Sequence, residues 1–344
     1  MNKLDRETRT KILHLLCEGS SIRSITRWTG ASKNTVAKLL VSVGQACADY
    51  QGKVIRNIAS KRVQVDEIWS FVYAKNDNVS AAKAAPVDAG DVWTWTAIDA
   101  DTKLIISWLV ASRDTDSALY FIDDLKSRLA NRVQLTSDGH RPYLTAVDAV
   151  FGDDVDYAML VKIYGADPQA EKRYSPAKCI GADKQPKIGS PNSKHISTSF
   201  AERSNLTMRM HMRRFTRLTN AFSKKVENHA HAVALHFMYY NFVRIHQTLK
   251  VTPAMAAGVT DKLWEVSDIV AMLEQWELAN FKPEVQFVVR ENKIGSGRYV
   301  HVISRKGVPD NIYGFNSEHE ALGWIKDKSQ AYLLERAMRY RFDS

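Results

Sequence analysis

The first fifty residues carry hydrophobic side chains at the three- and four-residue spacing of α-helices. This pattern predicts helices over residues 6–17, 22–28 and 33–50. A tight turn at Gly30 separates the last two, and Ser32 is placed to cap the third. Two short helices, a glycine-bearing turn and a third helix are typical of a helix-turn-helix, whose last helix enters the major groove of DNA. A three-helix packing or dimerisation unit is the alternative.

The start of the third helix carries the side chains that a helix-turn-helix would present to DNA, namely Ser32, Lys33, Asn34, Thr35 and Lys38. Basic and polar residues at this position favour DNA binding over a packing role. We therefore predict an all-α DNA-binding domain over residues 1–50. A basic linker is predicted over residues 51–62.

From residue 63 the hydrophobic pattern changes to the two-residue alternation of β-strands. Strands are predicted at residues 63–73, 92–98, 103–110, 132–137 and 157–164, and helices at residues 115–129 and 144–151. Three strands followed by helix, strand, helix and strand predict an α/β domain with a mixed sheet and helices on its faces. This is the element order of a ribonuclease-H-like fold.

The second half of this predicted domain is less regular. Residues 165–198 are rich in Pro and Gly and predict a long loop, which inside a domain is usually functional or disordered. A helix is predicted over residues 199–217, a stretch without Pro or Gly. Further helices are predicted over residues 224–246 and from Pro253 onward, so we expect the domain to span residues 63–258.

Residues 259–344 differ in character from what precedes them. An acidic helical stretch is followed by two predicted strands, at residues 285–290 and 298–303. A final helix is predicted to start near Gly314 and to continue to about Tyr340. These elements indicate a small α+β unit, and its motifs do not indicate a task.

Composition narrows the classes of partner. The formal net charge of the 344 residues is +10, which favours phosphate-rich partners. The longest apolar run, residues 233–243, is interrupted and too short to span a bilayer, so no membrane partner is expected. Cys17, Cys47 and Cys179 are far apart, which argues against a disulfide framework or zinc finger and is consistent with a reducing cytoplasm.

Three acidic residues occupy positions that a ribonuclease-H-like order brings together. Asp66 lies in the middle of the first predicted strand, Asp138 ends the fourth, and Glu202 lies on a later helix. Carboxylates are hard oxygen ligands suited to Mg²⁺ or Mn²⁺. Three of them, with phosphate oxygens, can hold two metal ions for phosphoryl transfer. We therefore predict these acids as metal ligands and catalytic residues.

Each of these acids has a structural alternative. Strand alternation places Asp66 and Glu67 on opposite faces, so only one of them can serve, and it could be Glu67. Asp138 could be the first residue of a Ser-Asp-Gly turn. Glu202 follows Ser199 by three residues, which is the spacing of a capping box.

A run of cations without acids follows Glu202. Its members are Arg203, Arg209, Arg213, Arg214, Arg217, Lys224 and Lys225. On a helix, Glu202, Asn205, Arg209 and Arg213 fall near one face. One carboxylate followed by a line of cations indicates a metal ligand beside a DNA-backbone track, and a solvated basic face is the alternative.

Five segments together resemble the transposases of the insertion-sequence-one group. They are VDEIWSFV at 65–72, SDGHRPY at 137–143, AERSNLTMR at 201–209, RRFTRLTNAFSKK at 213–225 and YNFVRIHQTL at 240–249. The blocks occur in order, and the resemblance covers about residues 5–258. Two features depart from the pattern: the paired-cysteine zinc finger of some members is absent, and the chain after residue 260 is not part of it.

This resemblance implies a DDE-type bacterial transposase. Asp66, Asp138 and Glu202 would hold two Mg²⁺ or Mn²⁺ ions, and Arg209 would contact the DNA end. The helix-turn-helix would read terminal inverted repeats, and the chain would self-associate as a dimer or larger assembly on paired ends and target DNA. The implied location is the bacterial cytoplasm, at the nucleoid. A domesticated transposase acting as a repressor and a ribonuclease-H-like nuclease without joining activity are the alternatives.

Overall fold

The computed structural model describes residues 4–165, 178–216, 220–280, 285–291, 297–304 and 310–342. The chain divides into two compact units, one of Leu4–Leu273 and the other containing Glu274–Ser344. The larger unit is a mixed α/β structure with a six-stranded sheet and flanking helices. Within the described parts of the chain, none of the helices has the length and apolar character needed to span a bilayer.

Three helices begin the larger unit: α1 (Arg6–Cys17), α2 (Ile22–Thr29) and α3 (Lys33–Val54). Asp5, Ser21 and Ser32 cap them, because each side chain accepts a hydrogen bond from the backbone N–H three residues later. Gly30 follows α2 with φ of 71°, a left-handed conformation that glycine adopts readily. The three predicted helices are confirmed, although the third is four residues longer than predicted. Their function as a DNA-binding helix-turn-helix stays a prediction.

The sheet contains strands β1 (Arg62–Val72), β2 (Gly90–Asp99), β3 (Ile105–Ala111), β4 (Gln134–Ser137), β5 (Asp156–Gly165) and β6 (Lys178–Ile188). Their spatial order is β3-β2-β1-β4-β5-β6. The pairs β1–β4 and β4–β5 are parallel, and the other neighbours are antiparallel. This mixed sheet is compatible with a ribonuclease-H-like fold.

The remaining helices of this unit are α4 (Asn76–Val79), α5 (Thr115–Arg128), α6 (Arg141–Phe151), α7 (Ser199–His211), α8 (Val226–Met238), α9 (Pro253–Ala256) and α10 (Val266–Ala279), the last of which crosses into the smaller unit. Two predicted helices are longer than the observed ones. The predicted helix 199–217 ends at His211 and is followed by a 3-10 turn, Arg213–Phe215. The predicted helix 224–246 becomes α8 and a π-helical turn, Tyr239–Val243.

Helices cover both faces of the sheet. On one face, the ring of Trp95 in β2 contacts Phe121 of α5 and Tyr143 of α6 at centroid distances of 5.9 and 5.3 Å. On the other face, Ser70 of β1 bonds to His229 of α8 at 3.1 Å. Burial of these aromatic side chains removes apolar surface from water and fixes the helices on the sheet.

Helix α3 packs along α8. Gln51 Nε2 donates to the backbone oxygen of Ala234 at 3.1 Å, and Ile55 and Ile58 beyond the helix are buried. The structure therefore differs from the predicted linker over residues 51–62: this segment is the end of α3 and a packed connection. The boundary of the larger unit, at Leu273, also lies beyond residue 258.

The predicted loop over residues 165–198 is wrong for part of its length. Within its described portion, β6 runs antiparallel to β5 at the end of the sheet. The side chains of β6 are mostly exposed, and the strand contains Pro186. An edge strand of this kind needs no alternating hydrophobic signal, and Pro is tolerated there.

The smaller unit contains an antiparallel sheet of three strands, β7 (Val285–Glu291), β8 (Arg298–Ser304) and β9 (Asp310–Phe315), followed by helix α11 (Glu318–Phe342). Val300, Phe315 and Ala321 form its buried centre, and Phe287 and Trp324 pack against them. The α+β character is confirmed, but the sequence predicted only two of the three strands. The third strand, β9, is short and mostly exposed, so its sequence shows little alternation of hydrophobic and polar residues.

Candidate functional site

All three predicted acids line one cleft with a volume of about 990 Å³. Asp66 lies in the middle of β1, and Asp138 follows the last residue of the adjacent parallel strand β4. Glu202 lies in the first turns of α7. Side chains from three distant segments of the chain therefore face a common space. Their role as catalytic residues stays a prediction.

A glutamine on β1 fixes the start of α7. Gln64 Oε1 accepts hydrogen bonds from the backbone N–H groups of Phe200 and Ala201, at 2.8 and 3.2 Å. The first N–H groups of a helix have no intrahelical partner, so this side chain acts as a cap. Gln64 precedes Asp66 by two residues and lies on the same face of the strand. The contact therefore places Glu202 beside Asp66.

Ser199 and Glu202 do not form the capping box that their spacing allows, because the side chain of the N-cap residue of α7 makes no capping hydrogen bond. Thr198, and not Ser199, is the N-cap of α7, and its backbone oxygen accepts from the N–H of Glu202 at 3.0 Å. The hydroxyl of Thr198 donates to the carboxylate of Glu202. Glu202 is therefore held by its own helix start while its side chain still lines the cleft.

Asp66 is held from α7. Asn205 Nδ2 donates to its Oδ2 at 2.9 Å, and the backbone N–H of Glu67 donates to its Oδ1 at 2.9 Å. Burial, together with the smaller effects of the charges of Glu67, Asp138 and Glu202, raises the pKa of Asp66 to about 7. A proton on Asp66 therefore relieves the repulsion among clustered carboxylates.

Glu67 meets a different set of partners, as strand alternation predicts. Its carboxylate accepts from Arg113 at 2.6 Å and from the hydroxyl of Tyr143 at 3.0 Å, and its side chain is only 1% exposed. Burial raises the pKa of Glu67 and Asp138 adds to this, whereas Arg113 opposes it. Both acids line the cleft, but the ion pair with Arg113 and the deep burial of Glu67 favour a structural role for Glu67.

Asp138 is at the same time a cleft residue and a turn residue. Its Oδ1 accepts from the backbone N–H of His140 at 2.9 Å, the bond of an Asx turn. The turn ends β4 and starts α6 at Arg141. Asp138 can therefore form the turn and also face the cleft.

Glu202 forms an ion pair that the sequence did not predict. Lys162 Nζ, from β5, lies 2.6 Å from Glu202 Oε2. The donor chemistry of three cleft carboxylates fits a hard divalent cation. In their present placement, however, the described residues include no group of three or more His, Cys, Asp or Glu arranged to hold a metal ion. One oxygen of Glu202 is therefore already paired with a cation of the chain itself.

Within the part of the chain that the structure describes, four cations line the cleft: Arg113, Arg141, Lys162 and Arg209. Only Arg209 was predicted from the sequence, as the residue seven positions after Glu202. The other three come from a strand end, a helix start and a strand, where no run of basic residues marks them. Together they surround the carboxylates with positive charge, which suits a polyanionic ligand.

The other predicted DNA-binding cations differ in their surroundings. Arg203, Arg213, Lys224 and Lys225 are exposed and do not line the cleft. Arg214 instead points inward: Nη1 donates to Ser223 Oγ at 2.7 Å and to the backbone oxygen of Asn228 at 3.2 Å. Burial lowers the pKa of Arg214 to about 10, so its geometry favours a structural role. Arg217 lies outside the described residues.

The predicted DNA-facing residues of α3 lie at its amino end. Ser32, Lys33, Asn34 and Lys38 are exposed, and Thr35 is half-buried. Ser32 Oγ accepts from the backbone N–H of Thr35 at 3.1 Å, so part of its hydrogen-bonding capacity is used in the cap. The exposed side chains are accessible to a ligand, and their contact with DNA stays a prediction.

Comparisons with known proteins leave the family open. No protein-family model matches the chain, and no curated protein matches it. Among solved structures, a cryo-electron microscopy structure of a piggyBac transposase synaptic complex with hairpin DNA aligns with a TM-score of 0.36 and 9% identity, covering 82% of this chain and 75% of that one. A likeness at this level carries no argument about function. The resemblance to the insertion-sequence-one transposases stays a prediction.

Proposed function

We propose that the chain is a DNA transposase, which cleaves DNA at the ends of a mobile element and joins the freed 3′-OH to target DNA. One observation carries the proposal: Asp66, Asp138 and Glu202 line a single cleft that is walled by cations. Acids from a strand centre, a neighbouring strand end and a helix suit phosphoryl transfer, in which positioning and electrostatics provide most of the catalysis.

The proposed division of labour follows from the contacts. Two bound Mg²⁺ or Mn²⁺ ions would supply activation of the attacking oxygen and stabilisation of the leaving 3′ oxygen. Asp66, Asp138 and Glu202 would hold them, and Asn205 would orient Asp66 through its 2.9 Å hydrogen bond. Arg209 and the other cleft cations would neutralise phosphates and align the DNA ends.

The finer parts of the proposal rest on the segments that resemble insertion-sequence-one transposases. The amino end of α3 would read terminal inverted repeats in the major groove. Two element ends must be held together for joining, so the chain would act as a dimer or larger assembly on double-stranded DNA. The proposed location is the bacterial cytoplasm, at the nucleoid.

The decisive experiment measures cleavage and joining with purified protein. The substrate is a labelled DNA duplex carrying the inverted repeats that flank the coding sequence, with Mg²⁺ and a target plasmid. The wild type should release a 3′-OH end and form joined products, and Asp138→Asn should abolish both. Asp154→Asn is the matched control, because Asp154 is exposed and does not line the cleft. Activity of Asp138→Asn equal to the wild type would rule out the proposed site.

One observation favours a second candidate, a captured transposase retained as a repressor. Glu202 is paired with Lys162, and no set of three acids is gathered for a metal among the residues described. A repressor would bind the same duplex tightly without metal and would never cut it. Cleavage without joined products would instead indicate a ribonuclease-H-like nuclease.

A further inference from the structure

The ammonium of Lys162 lies among the carboxylates of the cleft. It is 2.6 Å from Glu202 Oε2, and it also interacts electrostatically with Asp66. The side chain comes from the interior of β5, where Lys162 pairs with Ala182 of β6. A cation held by a sheet strand therefore contacts the acid that α7 supplies.

We propose that Lys162 is an internal counter-ion that competes with the divalent cation for Glu202. In the metal-free protein it would neutralise Glu202, and metal would enter as the ammonium leaves. This inference rests on the proposed metal-dependent function of the cleft. It assigns a positioning role to Lys162 and no part in the chemistry itself.

The charges in the cleft explain why such a counter-ion is needed. Among the described residues, four carboxylates line it: Asp66, Glu67, Asp138 and Glu202. Glu67 is neutralised by Arg113, and Glu202 by Lys162. Without a metal ion and without Lys162, the carboxylate of Glu202 would lose its ion pair, and its repulsion with the neighbouring carboxylates would increase.

The geometry also allows the ammonium to leave. The Lys162 side chain is 34% exposed and Glu202 is 40% exposed, so both can move without unpacking the core. Lysine carries a point charge on a flexible four-carbon stem, whereas arginine would form a more rigid fork. The backbone of β5 remains paired with β4 and β6 throughout.

The test is Mn²⁺ binding, measured by electron paramagnetic resonance of free Mn²⁺ during a titration of the full chain. Lys162→Met removes the competing charge but keeps a flexible side chain. Because an exposed ion pair typically contributes up to about 1 kcal/mol, which corresponds to about fivefold in affinity, we expect Mn²⁺ to bind more tightly by up to about fivefold. The rise in Tm on adding Mn²⁺ should increase in parallel.

Lys184→Met is the matched control. Lys184 lies on β6, donates to the backbone oxygen of Ser193 and does not line the cleft. It makes the same change in net charge without breaking an ion pair to a cleft carboxylate, so it should leave Mn²⁺ affinity unchanged within about twofold. Lys162→Gln provides a second variant in case Lys162→Met does not fold.

The outcomes separate this inference from the proposed function. Asp138→Asn should bind Mn²⁺ more weakly than the wild type does, and this result would locate the ion in the cleft. If it does so but Lys162→Met binds no more tightly than the wild type, or binds more weakly, the counter-ion role is overturned and the metal site stands. If neither the wild type nor Lys162→Met binds Mn²⁺ in an Asp138-dependent way, the metal-dependent function fails, and the counter-ion role fails with it.

Discussion

A buried chain of hydrogen bonds should make the protein sensitive to acid. Ser223 Oγ accepts from Arg214, and the imidazole of His229 lies 3.2 Å from Ser223 Oγ and 3.1 Å from Ser70 Oγ. Ser70 in turn donates to the backbone oxygen of Val92 at 3.2 Å. Every group has a partner when His229 carries its only proton on Nε2. A second proton, on Nδ1, would face the hydroxyl of Ser223, which already accepts from Arg214 and would lose Nδ1 as the acceptor for its own proton.

Burial and the nearby charge of Arg214 lower the pKa of His229 to about 3, from 6.5 for an ordinary histidine. In the unfolded chain His229 therefore binds a proton below about pH 6.5, whereas in the folded chain it does so only below about pH 3. The contribution of neutral His229 to the free energy of unfolding is fully present above pH 6.5 and is lost as the pH falls from 6.5 to about 3. Each pH unit costs about 1.4 kcal/mol, so His229 should cost about 2 kcal/mol at pH 5 relative to pH 7.5.

The perturbation is His229→Gln, which retains a donor and an acceptor but cannot titrate. Urea denaturation followed by tryptophan fluorescence should show a free energy of unfolding that falls less between pH 7.5 and 5 than in the wild type, by about 2 kcal/mol. His14→Gln, on the exposed side of α1, removes one histidine without touching the buried chain and should behave as the wild type. An acid-induced loss that is the same in His229→Gln and the wild type would refute the reasoning.

Two further predictions concern packing and capping. A Cβ added at Gly44 would lie 2.4 Å from His231 Cβ on α8, whereas nothing lies within 4 Å at Gly52 on the same helix. Gly44→Ala should therefore lower the free energy of unfolding of the protein by about 1–3 kcal/mol, as measured by urea denaturation. Gly52→Ala should raise it by about 0.5–1 kcal/mol. Equal effects of the two substitutions would contradict the close approach of α3 and α8. Gln64→Ala should lower stability by about 1–2 kcal/mol because α7 loses its cap, and an unchanged Tm would argue against this anchoring.

The elements predicted correctly are those that bury one face. The β1 segment alternates because one set of its side chains packs under α7 and α8 and the other under α5 and α6, and this signal is local. β6 gives no such signal, since an edge strand is mostly exposed. The helix predicted over residues 199–217 lacks any breaker, yet α7 ends at His211. Its end is set by packing, with Phe215 buried in the turn that follows.

The acids of the candidate site were predictable because strand order brings Asp66 and Asp138 to neighbouring strands. The residues that contact these acids in the cleft could not be predicted in the same way. Gln64 and Lys162 read as ordinary strand residues, and their contacts depend on how α7 lies across the sheet. Tertiary contacts of this kind leave no periodic pattern in a single sequence.

The length of α3 has a mechanical consequence. Its 22 residues form a rod of about 33 Å. One end carries the exposed Ser32 and Lys33, and the other is packed on α8, which is itself bonded to β1. If DNA binds at the exposed end, a continuous helix without a flexible linker connects the bound DNA to the sheet. If the chain also cleaves DNA as proposed, the rigid helix would fix the number of base pairs between the bound sequence and the cleaved phosphate, and inserting a helical turn into α3 would change that number.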